Sequence, residues 1–212
     1  MASDRAASYP LRRRRVVAAL LKARGEVLVV SGLGEPTWDV AATGDDPRTF
    51  PLWGAMGGAV MIGLGLALAQ PERPVLVITG DGEMLMGLGS LAVVGVKRPR
   101  NLAIVVLDNE RYGETGMQAT HTADKADLAA TAHALGIATV GTVRDETALA
   151  AAIGQIRDAE GPVFFDIKVR PEILPLVMPP KDGARLKDRF RAAVLGRIIG
   201  DSRGSCKTVI LR

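Results

Sequence analysis

The apolar positions of this chain fall into short continuous runs, separated by longer stretches in which they recur at helical spacing. A continuous apolar run of four to eight residues predicts a strand that is buried on both faces. Strands built on such runs are predicted at residues 26–32, 102–108, 138–143 and 162–169, and a turn followed by a strand is predicted at 71–79. The stretches predicted as helices are residues 11–24, 33–41, 54–70, 84–96, 127–136, 145–159 and 182–196.

This alternation of strand and helix predicts an α/β fold. We expect a three-layer sandwich with a mainly parallel central sheet and helices on both faces. Residues 43–52 and 110–126 are predicted as loops, because they are polar and rich in turn residues. We expect an N-terminal leader and helix over residues 1–24, one ligand-binding domain over 25–180, and a C-terminal helix and basic tail over 181–212.

Composition indicates the class of protein and argues against some classes of ligand. Of the 212 residues, 48% are apolar and 24% are charged, which is typical of a soluble globular protein. Aromatic residues make up 4%, so we expect no stacking platform for single-stranded nucleic acid. Residues 11–15 and 181–212 carry much of the net charge of +4, but no nucleic-acid motif accompanies them. We interpret 11–15 as the solvated start of a helix.

The sequence predicts a protein of the cytoplasm. It contains no uncharged apolar stretch of about 18 residues, so we expect no membrane-spanning helix. The apolar segment 16–21 is too short for a signal peptide, and no small-residue cleavage site follows it. Cys206 is the single cysteine, which excludes a disulfide within the chain and fits a reducing compartment. We expect it to be an inert thiol.

Two oxygen-bearing side chains follow neighbouring predicted strands. Asp81 comes after the strand at residues 75–79, and Asn109 comes after the strand 102–108. Ligands of open α/β sheets bind at the carboxyl ends of the strands, so these two side chains are expected to meet there. One carboxylate and one amide oxygen suit Mg²⁺, which usually shares its coordination with phosphate oxygens.

Glycines around Asp81 indicate that a large anion approaches the backbone. Gly80 and Gly82 flank it and leave room for such an approach. The next helix is predicted to begin at about residue 84, and helix N-termini favour phosphate. The residues alone therefore predict a diphosphate site bridged by Mg²⁺.

This stretch resembles the thiamine-diphosphate signature of the decarboxylase and acetolactate synthase superfamily. Gly80-Asp81-Gly82 is followed by twenty-five residues and then by Asp108-Asn109. The signature usually ends in Asn-Asn, and here Asp108 stands at the first of these positions. The likeness extends upstream through the small-residue run 53–82 and covers roughly residues 25–170. It implies the diphosphate-binding domain of C-terminal type, with thiamine diphosphate and Mg²⁺ as cofactors.

The resemblance also implies a set of metal and diphosphate ligands. Asp81 and Asn109 would bind the metal through their side chains, and Arg111 through its backbone carbonyl. Gly82 and Glu83 would offer backbone N–H groups to the diphosphate.

Other cofactor contacts implied by the resemblance lie upstream. Met56 is at the position of the bulky residue that supports the bent form of the cofactor. The Gly54 carbonyl would accept a hydrogen bond from the aminopyrimidine. The loop 31–37, which includes Gly34, would meet the far side of the diphosphate, and Gly80 would lie beside it.

The polar loop after Asn109 supplies candidates for proton transfer. They are Tyr112, Glu114, Gln118 and His121. Of these we predict catalytic roles for Glu114 and His121, together with Met56. The alternative for each of them is a structural or solvent-facing role, and nothing in the sequence brings His121 close to the cofactor.

The resemblance implies that this chain acts with a partner. Superfamily members have a second domain, which holds the aminopyrimidine and supplies an activating glutamate; 212 residues leave no room for it. Glu26 and Glu35 lie in the wrong context to replace that glutamate. The arrangement resembles that of the two-subunit sulfopyruvate decarboxylases and their phosphonopyruvate decarboxylase relatives. We expect a hetero-oligomer with at least two copies of each chain, which decarboxylates a small 2-oxoacid to CO₂ and an aldehyde.

Other functions remain open at this point. An acetolactate-synthase-like carboligase subunit and a non-catalytic partner subunit would both keep this fold. A ferredoxin-linked enzyme would need several cysteines to bind an iron–sulfur cluster. This chain has a single cysteine, Cys206, which argues against that function. A nicotinamide or flavin domain would need Gly-x-Gly-x-x-Gly, whereas Gly32 and Gly34 are followed by Thr37.

Overall fold

The computed structural model describes residues 4–158 and 160–196, and a six-stranded parallel sheet forms its centre. Its strands are β1 (Leu28–Ser31), β2 (Thr49–Pro51), β3 (Val75–Gly80), β4 (Leu102–Asp108), β7 (Thr139–Val143) and β8 (Val163–Lys168). A separate antiparallel pair is formed by β5 (Arg111–Tyr112) and β6 (Gln118–Ala119). The strand order is β2-β1-β3-β4-β8-β7. The predictions for Cys206 and the tail from residue 197 lie outside the described residues.

Helices cover both faces of this sheet. They are α1 (Arg13–Leu21), α2 (Glu35–Ala41), α3 (Ala59–Ala69), α4 (Asp81–Met86), α5 (Ser90–Lys97), α6 (Leu128–Ala134), α7 (Glu146–Asp158) and α8 (Gly183–Val194). One apolar core lies between the sheet and α1, α2 and α7, and a second lies between the sheet and α3 to α6. The predicted three-layer sandwich is confirmed. Within the described part of the chain, no helix is long and apolar enough to cross a membrane.

The segment 43–52, predicted as a loop, contains the edge strand β2. Its three residues pair with β1, with Thr49 opposite Val29 and Pro51 opposite Ser31. A strand this short shows no periodicity in the sequence. Proline is tolerated here because an edge strand is paired on one side only.

The segment 84–96, predicted as one helix, forms two. Helix α4 begins at Asp81, earlier than predicted, and a turn at Gly87 separates it from α5. A Cβ at Gly87 would lie far inside van der Waals contact with the carbonyl oxygen of Gly57. Two backbone segments therefore pack directly on each other at this turn, which only glycine permits.

The residues before α1 are more ordered than the predicted leader. A single 3₁₀ turn covers Arg5–Ser8, and Ala6 within it is fully buried. The Tyr9 hydroxyl donates a hydrogen bond to Glu110 Oε1 at 2.7 Å, and Arg5 Nε donates to the same oxygen at 3.0 Å. This segment is therefore tied to the end of β4.

The sheet brings the two predicted metal ligands to one edge. Strands β3 and β4 are parallel neighbours, with Gly80 opposite Leu107. Asp81 and Asn109 follow the last residues of these strands, so they leave the sheet side by side. The predicted adjacency of the two strands is confirmed.

A buried ion-pair network joins α1 to α2. Arg13 Nε donates to Asp39 Oδ2 at 2.7 Å, and Arg13 Nη1 lies 2.5 Å from Glu35 Oε1. Asp39 is fully buried, and its other oxygen accepts from Arg14 Nε at 2.9 Å. Two residues of the arginine run predicted as solvated are thus engaged in the protein interior.

Replacing Gly95 is expected to destabilise the fold, because α5 packs there against the end of α6 without space for a side chain. A Cβ on Gly95 would overlap the carbonyl oxygen of Leu135. Gly95→Ala should lower the free energy of unfolding by about 1–3 kcal/mol, measured by urea denaturation. Gly154→Ala is the matched control: this α7 glycine has open space around a Cβ, and it should gain about 0.5–1 kcal/mol. Equal effects of the two substitutions would contradict this account of the packing.

Replacing Arg13 is expected to cost about 3 kcal/mol of unfolding free energy, since it leaves buried carboxylates undercompensated. Arg13→Met and the control Arg100→Met would be compared by urea denaturation. Arg100 pairs with Glu160 at the surface, where the two side chains are 75% and 77% exposed, so its loss should cost under about 1 kcal/mol. Equal losses of unfolding free energy in the two variants would show that the buried network of Arg13 does not stabilise the fold.

Candidate functional site

A cavity of about 190 Å³ opens at the carboxyl edge of the sheet, beside the ends of β3 and β4. The loops after β1, β3 and β4 supply most of its wall. The wall residues are Arg13, Leu33, Glu35, Pro36, Met56, Gly80, Asp81, Gly82, Glu83, Leu107, Asn109, Arg111, Tyr112, Gly113, Glu114 and Thr115. Eight of the eleven residues predicted for the site line this one cavity.

Asp81 lies at the base of the cavity as the first residue of α4. It is 2% exposed, and Oδ2 accepts hydrogen bonds from Thr120 Oγ1 at 2.5 Å and Thr122 Oγ1 at 3.3 Å. Burial raises the pKa of Asp81 well above its usual range, and repulsion from Asp108 raises it further. A bound cation would relieve both effects.

The Asn109 amide is held at both ends. Its Nδ2 donates to Glu35 Oε2 at 2.9 Å, and its Oδ1 accepts from the backbone N–H of Arg111 at 2.9 Å. Glu35 is in turn fixed by Arg13. The amide oxygen therefore has a defined direction, which the contact with Glu35 sets.

The next residue, Glu110, has an unusual backbone. Its φ is 60°, in the left-handed region that residues other than glycine rarely adopt. Its carboxylate is 1% exposed and is bound by Arg5 and Tyr9. These contacts stabilise the sharp turn that follows Asn109. Such turns are common in functional loops.

Two glycines let side chains pack on the backbone of α4 and β1. A Cβ on Gly82 would overlap the ring of Tyr112, and a Cβ on Gly32 would overlap the carboxylate of Glu83. Glu83 is 4% exposed and its Oε2 accepts from Thr79 Oγ1 at 2.8 Å. Burial raises the pKa of the Glu83 carboxyl.

The upstream positions differ in how they face the cavity. Met56 lines it, is 37% exposed, and follows Ala55, whose φ is 56°. Gly34 is the N-cap of α2, with φ 78°, and lies against Glu114. Gly54 is exposed and is not part of the wall.

The candidates for proton transfer separate into two groups. Tyr112 and Glu114 line the cavity, and Glu114 Oε1 accepts from Trp38 Nε1 at 2.9 Å. Gln118 and His121 are exposed and lie outside the cavity wall. The antiparallel β5–β6 pair folds the loop back at Gln118, opposite Tyr112.

Several site residues carried no recognised motif. Thr120 and Thr122 hold Asp81, and Lys168 forms buried ion pairs with Asp108 and with Asp166. The two threonines belong to a polar loop without a repeating pattern. The charged residues of β8 did give a signal, because "VFFDIK" places a carboxylate and an ammonium two positions apart in a buried strand.

A metal at this edge would need groups besides carboxylates. Among residues 4–158 and 160–196, no group of three His, Cys, Asp or Glu side chains could hold an ion by itself. A ligand set of Asp81, Asn109, a backbone carbonyl and phosphate oxygens fits this limit, because Mg²⁺ commonly completes its shell with a bound phosphate.

Two decarboxylases are similar to this chain in sequence. The chain is 40% identical over 172 residues to sulfopyruvate decarboxylase subunit beta of Methanothermobacter thermautotrophicus, covering 80% of this chain and 88% of that one. It is 37% identical over 191 residues to phosphonopyruvate decarboxylase of Streptomyces viridochromogenes, covering 90% of this chain and 48% of that one. This chain thus spans about half of the second relative.

A solved structure supports the fold. Benzoylformate decarboxylase from Polynucleobacter necessarius superposes with a TM-score of 0.64 at 21% identity, over 79% of this chain and 34% of that one. Residues 39–167 match the family described as thiamine pyrophosphate enzyme, C-terminal TPP binding domain. The predicted resemblance is confirmed, and the chain belongs to this family of thiamine pyrophosphate enzymes.

Proposed function

We propose that this chain is the diphosphate- and Mg²⁺-binding subunit of a two-subunit, thiamine-diphosphate-dependent 2-oxoacid decarboxylase. The observation that carries the proposal is the meeting of Asp81 and Asn109 at the ends of adjacent strands, in one cavity. The family match and the names of the relatives support decarboxylation. The reaction would be of the sulfopyruvate or phosphonopyruvate type, with CO₂ and an aldehyde as products.

Asp81, Asn109 and the backbone carbonyl of Arg111 would hold the metal. The hydrogen bonds that reach the Asp81 carboxylate come from uncharged threonine hydroxyls, and Asp108 repels it. A divalent cation would stabilise this buried carboxylate. Asn109 would add a neutral oxygen, which suits a hard ion that also binds phosphate.

The start of α4 would bind the diphosphate. Backbone N–H groups in the first turn of a helix have no partner within the helix, and phosphate oxygens satisfy them well. Gly82 and Glu83 lie in this turn. The ring of Tyr112 occupies the space that a side chain at position 82 would fill. Tyr112 would therefore border the diphosphate rather than transfer protons.

Thiamine diphosphate, when bound, would supply a carbon nucleophile and an electron sink for the electron pair that CO₂ leaves behind. The residues of this chain would bind and orient it. Met56 would support its bent form, and Gly54 and Gly34 would contact it from the upstream loops. Glu114 lies on the cavity wall and is better placed than His121 to hold a proton near the substrate.

A partner subunit would complete the site. Large apolar side chains are exposed along one face of α3, at the end of α4 and on α5: Met61, Leu68, Met86, Val93 and Val96. Exposed apolar patches of this kind mark interaction surfaces. Gly65 lies on the same face of α3, and a Cβ there would meet nothing within 4 Å. A glycine inside a helix costs about 1 kcal/mol, and packing within the described residues does not require this one.

The proposed partner is a subunit with an aminopyrimidine-binding domain that carries the activating glutamate. We propose at least two copies of each chain, because twofold symmetry is the commonest symmetry of soluble oligomers. The word "beta" in the name of the Methanothermobacter thermautotrophicus relative is consistent with this arrangement.

Removing the proposed metal ligand should abolish cofactor binding. Calorimetry would measure thiamine diphosphate binding with Mg²⁺, on this chain alone and with the adjacently encoded partner co-expressed. We expect saturable, Mg²⁺-dependent binding that tightens with the partner and weakens at least ~100-fold in Asp81→Ala, because loss of a direct ligand exceeds the effect of outer-shell changes. Asp124→Ala, an exposed aspartate outside the cavity, should bind as the wild type does. Absence of binding in both preparations would overturn the proposal and favour a non-catalytic subunit.

The substrate class is tested separately. The reconstituted enzyme would be assayed for CO₂ and aldehyde release from 3-sulfopyruvate, 3-phosphonopyruvate and pyruvate. We expect a higher kcat/KM for a substrate with the second anionic group. Condensation of pyruvate without aldehyde release would instead identify a carboligase.

A further inference from the structure

A second layer of buried carboxylates lies behind the proposed metal ligands. Asp108 is fully buried at the end of β4, and Asp166 is 2% exposed near the end of β8. Glu110 adds a third carboxylate in the following turn. Burial, and after it repulsion from Asp108, raises the pKa of Asp166 to about 7. So many acidic groups in the interior require a cation close by.

Lys168 provides that cation. Its side chain is 6% exposed, and its ammonium forms ion pairs with Asp108 Oδ2 and, at 3.1 Å, with Asp166 Oδ2. Lys168 is the direct register partner of Asp108 across β4 and β8. The sheet itself therefore fixes this contact.

Asp108 connects Lys168 to Asn109. Its Oδ1 accepts a hydrogen bond from the backbone N–H of Glu110 at 2.9 Å, so it spans the residue between them, Asn109. The turn that presents the Asn109 amide to the cavity is thus closed by a carboxylate that Lys168 holds in place.

The same carboxylate also reaches the other metal ligand. Thr122 Oγ1 lies 2.8 Å from Asp108 Oδ1 and 2.8 Å from Thr120 Oγ1, and Thr120 donates to Asp81. A hydroxyl has one proton to donate, so Thr120 donates to Asp81 and Thr122 donates to Asp108. The Thr122 hydroxyl also lies 3.3 Å from Asp81 Oδ2, so it stands between the two carboxylates. Lys168 is thereby connected to both side chains that would bind the metal.

We propose that Lys168 is a positioning residue of the metal site, which acts through Asp108 to fix the orientation of Asn109 and Asp81. This inference rests on the proposed function. It also accounts for the departure at position 108 from the Asn-Asn pattern: a carboxylate there adds a buried charge, and Lys168 compensates it. Residues that orient metal ligands typically change metal affinity 10–100-fold when they are replaced.

The test measures Mn²⁺ affinity by electron paramagnetic resonance, in the full chain with thiamine diphosphate and the co-expressed partner. Lys168→Met should weaken Mn²⁺ binding by about 10–100-fold. Adding Asp108→Asn to Lys168→Met should restore the affinity to within about threefold of wild type, because a neutral amide needs no cation and can still accept from the Glu110 N–H.

A second pair of variants keeps the test decisive if Lys168→Met does not fold. The double variants Asp108→Asn/Lys168→Met and Asp108→Ala/Lys168→Met carry the same charge. They differ in whether residue 108 can bind the Glu110 N–H and the Thr122 hydroxyl. The Asn variant should bind Mn²⁺ at least about tenfold more tightly than the Ala variant. Equal affinities would overturn the proposal.

Arg24→Met is the control for general destabilisation. Arg24 is a largely buried cation before β1, at the opposite edge of the sheet, and its side chain is 12% exposed. This variant should lower the Tm without changing Mn²⁺ affinity. If a folded Lys168→Met variant binds Mn²⁺ as tightly as the wild type, the positioning role of Lys168 is wrong but the proposed function stands. If the wild type does not bind Mn²⁺, the proposed function is overturned as well.

Discussion

Buried negative charge at the carboxyl edge of the sheet is the constraint on which the site depends. Parallel strands all end at the same edge, so the polar residues that follow them are brought together in a buried volume. Asp81, Asp108 and Asp166 are each at most 2% exposed there. Burial is the largest cause that raises the pKa of Asp81 and of Asp166, and repulsion from Asp108 is the second. Cations beside such buried carboxylates offset the cost of their burial.

We propose that one cation lies behind the strand ends and a second lies in the cavity. Lys168 compensates the carboxylates behind the strand ends, and the proposed Mg²⁺ would compensate Asp81 on the cavity side. The first charge is built into the chain, whereas the second would arrive with the cofactor. Cofactor binding should therefore stabilise the folded chain, because a ligand that binds only the native state shifts the folding equilibrium toward it.

Sequence reasoning reached the fold, and it placed the two proposed metal ligands at one edge of the sheet, because both depend on local patterns. Continuous apolar runs define the strands, and Asp81 and Asn109 sit directly after two of them. The supporting residues depend on contacts across the fold instead: Thr120 reaches Asp81 from a loop 39 positions away, and Lys168 reaches Asp108 over 60. A local sequence pattern does not predict contacts between residues that are so far apart in the chain. His121 has suitable chemistry for proton transfer, but it is exposed and lies outside the cavity wall, whereas its neighbours Thr120 and Thr122 are buried.

The size of the cavity is consistent with the proposed partner subunit. At about 190 Å³ it is smaller than the roughly 300–1,000 Å³ typical of sites that enclose a whole ligand of this size. It offers groups suited to a metal and a diphosphate, while Met56 stands 37% exposed at its rim. The rest of the cofactor would extend past this rim, toward surface that a second subunit covers. On this account the chain binds the charged end of the cofactor, and the reactive end is enclosed only on assembly.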